Sequence, residues 1–215
     1  MKKQNILEEI SALITEDEII MFQELQIKIK ELNNKTNLTR LIDGDDYWIS
    51  QVFDSIWPFK TFQNINFDNK KFLDIGSGCG FPGLAYAITH PTSEIYLVDS
   101  SKKKTDALKS IIKEINFKSN IHVINARVEN LAHQSSMRNS FDIATTRAVS
   151  NPSTVSEYIL PMLKKEGLGV LYCGKWTDLE SKNLEKTLEI LEGKFKEKKE
   201  ILLPKYKGTR NIILI

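Results

Sequence analysis

The sequence predicts an α/β fold organised around one mostly parallel sheet. From residue 71 onward, short apolar segments alternate with helical stretches, a pattern typical of parallel strands joined by crossover helices. The first segment runs directly into a glycine-rich turn at residues 76–83, which is where many such folds bind a ligand. The last two segments are separated only by residues 204–209, so we expect them to form an antiparallel hairpin.

The bulk composition is that of an ordinary globular protein. The chain has 215 residues, of which 41% are hydrophobic and 27% charged, which argues against disorder and against a disulfide scaffold. Two cysteines, Cys79 and Cys173, are too few for a disulfide framework and suit a reducing compartment. The amino-terminal residues lack an apolar signal core, and no apolar run reaches the roughly 18 residues of a membrane span. We therefore expect a cytoplasmic protein with no membrane attachment.

Residues 1–66 are expected to form a helical extension ahead of the sheet. Helically spaced apolar residues predict a first helix over residues 2–13. Thr15 and Glu18 have the spacing of a capping box that opens a second helix, whose apolar stripe is Phe22, Leu25, Ile29 and Leu32. A third helix is expected over residues 45–56, and Pro58 is expected to stop it.

The remaining residues, 67–215, are predicted to form a second domain with seven strands and four helices. The strands are expected at residues 71–76, 94–98, 120–125, 141–146, 167–173, 196–203 and 210–215. The helices are expected near residues 82–90, 101–116, 153–163 and 178–192.

The glycine-rich turn predicts a cofactor site. Gly76, Gly78 and Gly80 let the backbone adopt positive φ and approach a ligand closely. The same segment also satisfies the glycine spacing of dinucleotide-binding turns, so NAD and S-adenosylmethionine are both candidates. Asp74 favours S-adenosylmethionine, because a carboxylate repels a pyrophosphate and attracts a cationic sulfonium ligand.

A second carboxylate, Asp99, ends the next predicted strand. An acidic residue at this position of an α/β unit typically binds ribose hydroxyls. Both carboxylates also have a structural alternative, because Asp74 could cap the glycine turn and Asp99 could cap the helix that follows it.

Several further motifs accompany the glycine turn. They are Asn37-Leu38-Thr39, Phe53-Asp54-Ser55, Val98-Asp99-Ser100, Arg127-Val128-Glu129, Thr146-Arg147-Ala148 and Arg210-Asn211-Ile212. Together with Gly80-Phe81-Pro82-Gly83, and in this order, they make the chain resemble the RsmG or GidB family of small-subunit ribosomal RNA guanine-N7 methyltransferases.

The resemblance implies a fold and an activity. The fold is that of a class I S-adenosylmethionine-dependent methyltransferase, Rossmann-like, with a seven-stranded sheet that ends in a C-terminal antiparallel hairpin and follows an N-terminal helical extension. The activity is methylation of nitrogen-7 of a guanine in the 530-loop region of 16S ribosomal RNA. The expected partner is therefore 16S ribosomal RNA or the small ribosomal subunit, bound by a monomer without a metal.

The candidate site residues come from both sources. The cofactor-binding set is Asp74, Gly76, Gly78, Gly80, Phe81, Asp99, Val128, Glu129 and Arg147. The resemblance implies that Val128 and Glu129 lie beside the adenine and that Arg147 lies at the mouth of the site. No catalytic base is assigned, and Arg127 and Lys175 are the candidate contacts to RNA phosphate.

The chain departs from the family pattern at two places. Gln51 stands where the family usually has a histidine, so this chain has no imidazole at that position. At the fifth strand the family often has a lysine before the glycine, whereas here Lys175 follows Gly174.

Two alternative functions remain open from sequence. One is a nicotinamide-dependent oxidoreductase on a similar sheet, and the other is a ribosome-binding protein that holds the cofactor without catalysis. Cytosine-5 methylation is disfavoured, because Cys79 lies inside the cofactor turn and Cys173 inside a strand. Asn151-Pro152-Ser153 lacks the aromatic of an adenine methyltransferase motif, so we interpret it as a helix cap. Three histidines at scattered positions predict no metal site.

Overall fold

Helices precede the sheet along the chain. The structure is a computed structural model that describes residues 6–147 and 150–215. The amino-terminal helices are α1 (Ile6–Ser11), α2 (Glu16–Thr36), α3 (Gly44–Tyr47) and α4 (Asp54–Thr61), and a π-helical segment, Trp48–Phe53, joins α3 to α4. Residues 2–5 of the predicted first helix lie outside the described residues.

The predicted capping box at the start of α2 is confirmed. The Glu18 N–H donates to the Thr15 hydroxyl at 3.3 Å, and the Thr15 N–H donates to the Glu18 carboxylate at 2.7 Å. Two donors that a helix start leaves unpaired are thereby satisfied. The predicted apolar stripe faces inward, since Phe22, Leu25 and Ile29 are buried.

The prediction that Pro58 stops the third helix is wrong. Pro58 lies inside α4, which continues to Thr61. A proline in a helix interior removes a hydrogen bond and clashes with a preceding carbonyl, at a cost of about 3 kcal/mol. Burial of Trp57 and Phe59 offsets this cost, because the last turn of α4 places Phe59 against Phe67 with ring centroids 5.1 Å apart.

Seven strands form one sheet in the described part of the chain. They are β1 (Lys71–Ile75), β2 (Glu94–Asp99), β3 (Asn120–Asn125), β4 (Phe141–Arg147), β5 (Leu163–Cys173), β6 (Glu197–Leu202) and β7 (Thr209–Leu214). Their order is β3-β2-β1-β4-β5-β7-β6. Strands β1 to β5 are parallel, and β7 is antiparallel to both β5 and β6. The predicted sheet and its terminal hairpin are confirmed.

The connections carry further helices. They are α5 (Gly83–Thr89), α6 (Lys102–Glu114), α7 (Val128–Leu131), α8 (Pro152–Ile159) and α9 (Asp178–Ile190). The predicted cap before α8 is confirmed, since the Thr154 N–H donates to the Asn151 side chain at 3.0 Å. The single turn of α7 was not predicted. α8 was predicted to reach residue 163, but Pro161 ends it early, and β5 begins at Leu163 instead of residue 167.

Apolar side chains cover both faces of the sheet. Helices α1 to α6 pack on one face, over residues such as Phe72 and Ile95, while α7 to α9 pack on the other, over Leu73 and Leu171. The amino-terminal helices therefore share one core with the sheet. Within the described ranges, no helix is both long and apolar enough to cross a bilayer.

The parallel pairing brings the ends of several strands to one edge of the sheet, which we call the carboxyl edge. Asp74 pairs with Leu97 of β2 and Thr145 of β4, near the end of each strand. Asp99 and Arg147 are the last residues of β2 and β4. Residues distant in sequence therefore meet at the edge where α/β folds bind ligands.

Candidate cofactor-binding site

A cavity of about 260 Å³ opens at the carboxyl edge, beside the ends of β1, β2 and β3. Five of the predicted site residues line it, namely Gly76, Asp99, Arg127, Val128 and Glu129. Val128 is buried, whereas Arg127 and Glu129 are exposed. The cavity therefore combines an apolar wall with charged groups at its rim.

Tyr158 of α8 also lines this cavity and was not predicted. A tyrosine on an amphipathic helix is usually a core residue, so its local sequence carries no functional signal. The available signal was that α8 follows β4 directly. Helices that follow parallel strands begin at the carboxyl edge, so the residues of this short helix are candidates for the site.

Backbone bonds hold the glycine turn against the end of β2. The N–H groups of Gly76 and Ser77 donate to the Val98 carbonyl at 2.8 and 3.0 Å. Gly76, Gly78 and Gly80 have φ values of 73°, 57° and 101°, a region that other residues enter only with strain. The turn can therefore lie close to a ligand in the cavity.

Asp99 joins the glycine turn to the loop between β2 and α6. Its Oδ2 accepts from the Gly78 N–H at 2.9 Å, and its Oδ1 accepts from the Ser101 N–H at 2.8 Å. This second bond reaches Ser101, which precedes α6, so Asp99 orders the loop before the helix and the predicted alternative of a helix cap is not observed. Each carboxylate oxygen has a second lone pair, so the same group can also accept from ribose hydroxyls.

Asp74 is buried at 1% exposure, beneath the glycine turn. Its Oδ2 accepts from the Gly83 N–H at 3.0 Å. Gly83 permits this contact because a Cβ there would lie 2.8 Å from Asp74 Oδ2 and 2.2 Å from Leu97 Cδ2. Asp74 Oδ1 has no hydrogen-bond partner among the described residues. Burial, opposed by the Gly83 N–H and the Arg147 charge, raises the pKa of Asp74 from 3.8 to about 7.

Phe81 lies apart from the described residues that line the cavity. Its ring is buried and packs edge-on against Tyr47 of α3, with centroids 5.9 Å apart. The side chain thus joins the glycine turn to the amino-terminal helices.

Arg147 turns toward the amino-terminal helices. Its Nη1 donates to the Ser50 carbonyl at 2.8 Å and to Asp54 Oδ2 at 3.3 Å, and its Nη2 donates to Gln51 Oε1. Asp54 is 1% exposed and also accepts from Arg210 Nε at 2.7 Å. Two guanidinium groups therefore compensate one buried carboxylate, which offsets its cost of desolvation.

The two candidate phosphate contacts are exposed cations. Arg127 precedes α7 at the cavity rim, and Lys175 lies in the loop after β5. Neither forms an ion pair within the ranges 6–147 and 150–215. Their positions leave both free to meet an anionic partner.

The thiols and histidines offer little to catalysis. Burial raises the pKa of Cys79, and burial likewise raises the pKa of Cys173 to about 12, so neither is a ready nucleophile. His122 bonds Glu94 at 3.1 Å, but Glu94 begins β2 and lies at the opposite edge of the sheet from Asp99. Among the residues that the structure describes, no three metal-ligating side chains lie together.

The site fits S-adenosylmethionine. Asp99 retains acceptor capacity for ribose hydroxyls, and the unpaired Oδ1 of Asp74 is a buried acceptor suited to a cation. The glycine turn provides the close backbone at Gly76, which lines the cavity.

Comparison with known proteins agrees with this chemistry. The family model GidB, described as rRNA small subunit methyltransferase G, matches residues 18–211. A protein of Prochlorococcus marinus strain MIT 9312 named ribosomal RNA small subunit methyltransferase G is 88% identical over 215 residues, covering 100% of this chain and 91% of that protein. The protein of the same name from strain NATL1A is 43% identical over 202 residues, covering 94% and 81%.

Solved structures share the fold. A 1,6-didemethyltoxoflavin-N1-methyltransferase of Burkholderia thailandensis matches with a TM-score of 0.58 at 11% identity, over 86% of this chain and 87% of that one. TYW2 of M. jannaschii in complex with AdoMet matches with a TM-score of 0.54 at 16% identity, over 75% and 74%. The predicted methyltransferase fold is confirmed. The chain belongs to the rRNA small subunit methyltransferase G family, and it is a methyltransferase whose methyl donor is S-adenosylmethionine.

Proposed function

We propose that the protein methylates nitrogen-7 of a guanine in the 530-loop region of 16S ribosomal RNA. The observation that carries this proposal is a site with groups to hold the cofactor but without an acid–base pair. Asp74, Asp99 and the glycine turn meet at the carboxyl edge, and among the described residues neither a histidine nor a lysine lines the cavity. Nitrogen-7 of guanine has an exposed lone pair and carries no hydrogen, so its attack requires no base.

Five of the predicted residues have distinct proposed roles in holding the cofactor. When bound, S-adenosylmethionine supplies an electrophilic methyl group on a sulfonium. Asp99 accepts from the ribose hydroxyls, and Val128 and Glu129 hold the adenine at the cavity wall. Asp74 favours the cationic end through its unpaired oxygen, and Arg147 holds the carboxylate end. Catalysis then consists of holding the methyl group and the base in line.

Two exposed cations are proposed to bind RNA. Arg127 lines the cavity, and Lys175 lies in the loop after β5. Both are exposed and can contact phosphate oxygens, which positions the RNA without reading its sequence. The guanine is then selected within the cavity.

Family membership and the site disfavour one alternative function, and an activity assay tests the other. Membership of a methyltransferase family favours methyl transfer over a nicotinamide-dependent oxidoreductase. Asp74 adds to this, because its buried carboxyl lies where a pyrophosphate would need donors. A ribosome-binding protein that holds the cofactor without catalysis has to be tested by activity.

The domain division is also proposed. Residues 1–66 act as a helical extension and residues 67–215 as the methyltransferase domain, although the two share one core. We further propose that the protein acts in the cytoplasm as a monomer and without a metal. The two free thiols, Cys79 and Cys173, support a reducing compartment.

A methyl-transfer assay tests the proposed reaction. Small subunits lacking the modification are incubated with the protein and with a tritiated methyl donor, and modified subunits serve as the negative substrate. We expect label only on the unmodified subunits, and cleavage of the RNA at its methylated guanine locates the base. The matched variants are Asp99→Asn at the cavity and Asp106→Asn on the exposed face of α6. Absence of transfer to any small-subunit RNA would support the non-catalytic alternative, and label on another atom would refute the nitrogen-7 assignment.

A further inference from the structure

Gln51 joins three parts of the chain that are distant in sequence. Its Nε2 donates to Thr39 Oγ1 at 3.1 Å and to Cys79 Sγ at 3.5 Å, and its Oε1 accepts from Nη2 of Arg147. The side chain is 2% exposed, so water cannot readily replace these partners. One amide therefore contacts the segment after α2, the glycine turn and the end of β4.

The Gln51 amide is both a hydrogen-bond donor and a hydrogen-bond acceptor, and its neighbours require both. A guanidinium has five N–H donors and no acceptor, so Arg147 needs acceptors around it. Ser50 and Asp54 accept from Nη1, and Gln51 accepts from Nη2. Among residues 6–147 and 150–215, the other donors of Arg147, on Nε and on Nη2, have no hydrogen-bond partner and can meet a ligand. A side chain held in place before binding loses less entropy when the ligand arrives.

We propose that Gln51 is a positioning residue for methyl transfer, which fixes the guanidinium of Arg147 and ties it to Thr39 and to the glycine turn. The inference rests on the role proposed above for Arg147 in holding the cofactor. Thr39 belongs to the motif at residues 37–39, ahead of the sheet, so the same amide links that segment to the site. Gln51 thus does by hydrogen bonding alone what an ionisable side chain would do only over part of the pH range.

Cofactor binding tests the inference without any RNA. Affinity for S-adenosylhomocysteine is measured by calorimetry for the wild type and for Gln51→Leu. Gln26→Leu is the matched control, because Gln26 is a part-buried glutamine of α2 whose Nε2 donates to the Ile42 carbonyl at 2.8 Å. We expect Gln51→Leu to bind about tenfold more weakly and Gln26→Leu to bind as the wild type does.

Gln51→His should make cofactor affinity depend on pH in a way that a purely structural role of residue 51 would not. A neutral imidazole can accept from Arg147 and donate from its other nitrogen, whereas an imidazolium cannot accept. The side chains that contact position 51 are those of Arg147, Cys79 and Thr39, and Asp54 pairs with the far side of the same guanidinium at 3.3 Å. Affinity relative to the wild type should be within about threefold at pH 8 and should fall about tenfold further at pH 5.5, across the usual imidazole pKa.

The outcomes separate the inference from the proposed function. Wild-type affinity in a folded Gln51→Leu, or a Gln51→His ratio that is constant with pH, overturns the inference. If Gln51→Leu does not fold, the Gln51→His ratio decides alone. Arg147→Ala tests the cofactor-binding role of Arg147 on which the inference rests. Unchanged affinity in Arg147→Ala overturns that role and the inference, and the proposed methylation is tested separately by the transfer assay. A loss in Arg147→Ala with wild-type affinity in Gln51→Leu overturns only the role of Gln51.

Discussion

The buried carboxyl of Asp74 should make cofactor affinity depend on pH. Burial raises its pKa to about 7, so at neutral pH about half of the free protein carries a neutral Asp74. The cationic end of the cofactor favours the ionised form, and binding therefore releases a proton. Cofactor affinity should therefore differ between pH values below and above the pKa of Asp74.

The size of the effect follows from the pKa. At about pH 6, roughly nine tenths of the free protein carries a protonated Asp74 and must lose the proton on binding. The cofactor affinity there is about tenfold below the affinity at high pH, where Asp74 is fully ionised. At about pH 8 the loss is only about a tenth of the affinity. Affinity for S-adenosylmethionine should therefore rise about tenfold between these values, which is about 1.4 kcal/mol.

Calorimetry in buffers of different protonation heat measures both quantities. At about pH 7 the wild type should release about half a proton per cofactor bound. Asp74→Asn keeps an oxygen that can accept from the Gly83 N–H, so its fold should survive. It should bind more weakly, with no Asp74 proton to release. The amino group of the cofactor titrates with both proteins and cancels in the comparison. Equal pH dependence in the two proteins would refute the reasoning.

Four further predictions follow from the same structure. Because the pKa of Asp74 is raised in the folded protein, the unfolded chain loses this proton at lower pH. The free energy of unfolding should therefore fall as pH rises from about 4 to about 7. Thermal unfolding of the wild type and of Asp74→Asn over this range checks the prediction, since the variant should lack the decline. Asp99→Ala should weaken cofactor binding by roughly tenfold to a hundredfold, because each bond to a charged acceptor is worth about 1.5 to 3 kcal/mol. Unchanged affinity by titration would leave Asp99 with only its bonds to the Gly78 and Ser101 N–H groups. Removal of residues 1–66 should yield an insoluble protein, because it exposes the apolar surface over Phe72 and Tyr86, and a soluble, cofactor-binding fragment on gel filtration would contradict this. Single-turnover methylation with saturating cofactor and RNA should stay nearly flat from about pH 6.5 to 8.5, and a tenfold rise per unit would reveal an essential base.

Much of the sheet could be predicted because its signals are local. Each parallel strand is a short apolar run, and the glycine turn after β1 follows from residues adjacent in sequence. Asp99 was found by its place at the end of β2, since parallel strands carry ligand-binding groups at that end. The hairpin of β6 and β7 followed from the length of its connection alone.

The failures occurred where tertiary contacts decide the outcome. Pro58 is a strong local stop signal, yet the aromatic packing of Phe59 carries α4 beyond it. Phe81 was predicted as a cofactor-binding residue from its place in the glycine turn, and the packing of its ring against Tyr47, which is distant in sequence, could not be read from that turn. Whether Phe81 contacts the bound cofactor stays a prediction.

The arrangement around Arg147 was also beyond local reasoning, and it argues that the amino-terminal helices belong to the site. Each partner of its guanidinium comes from residues 50–54, so the conformation of Arg147 depends on a segment outside the predicted methyltransferase domain. Removing one partner of a buried charge leaves the other uncompensated, which typically costs about 3 to 5 kcal/mol. A change in the segment that holds Asp54 should therefore alter both the stability of the fold and the presentation of Arg147. The helical extension thus supports the site by a physical connection, independently of any contact that it makes with RNA.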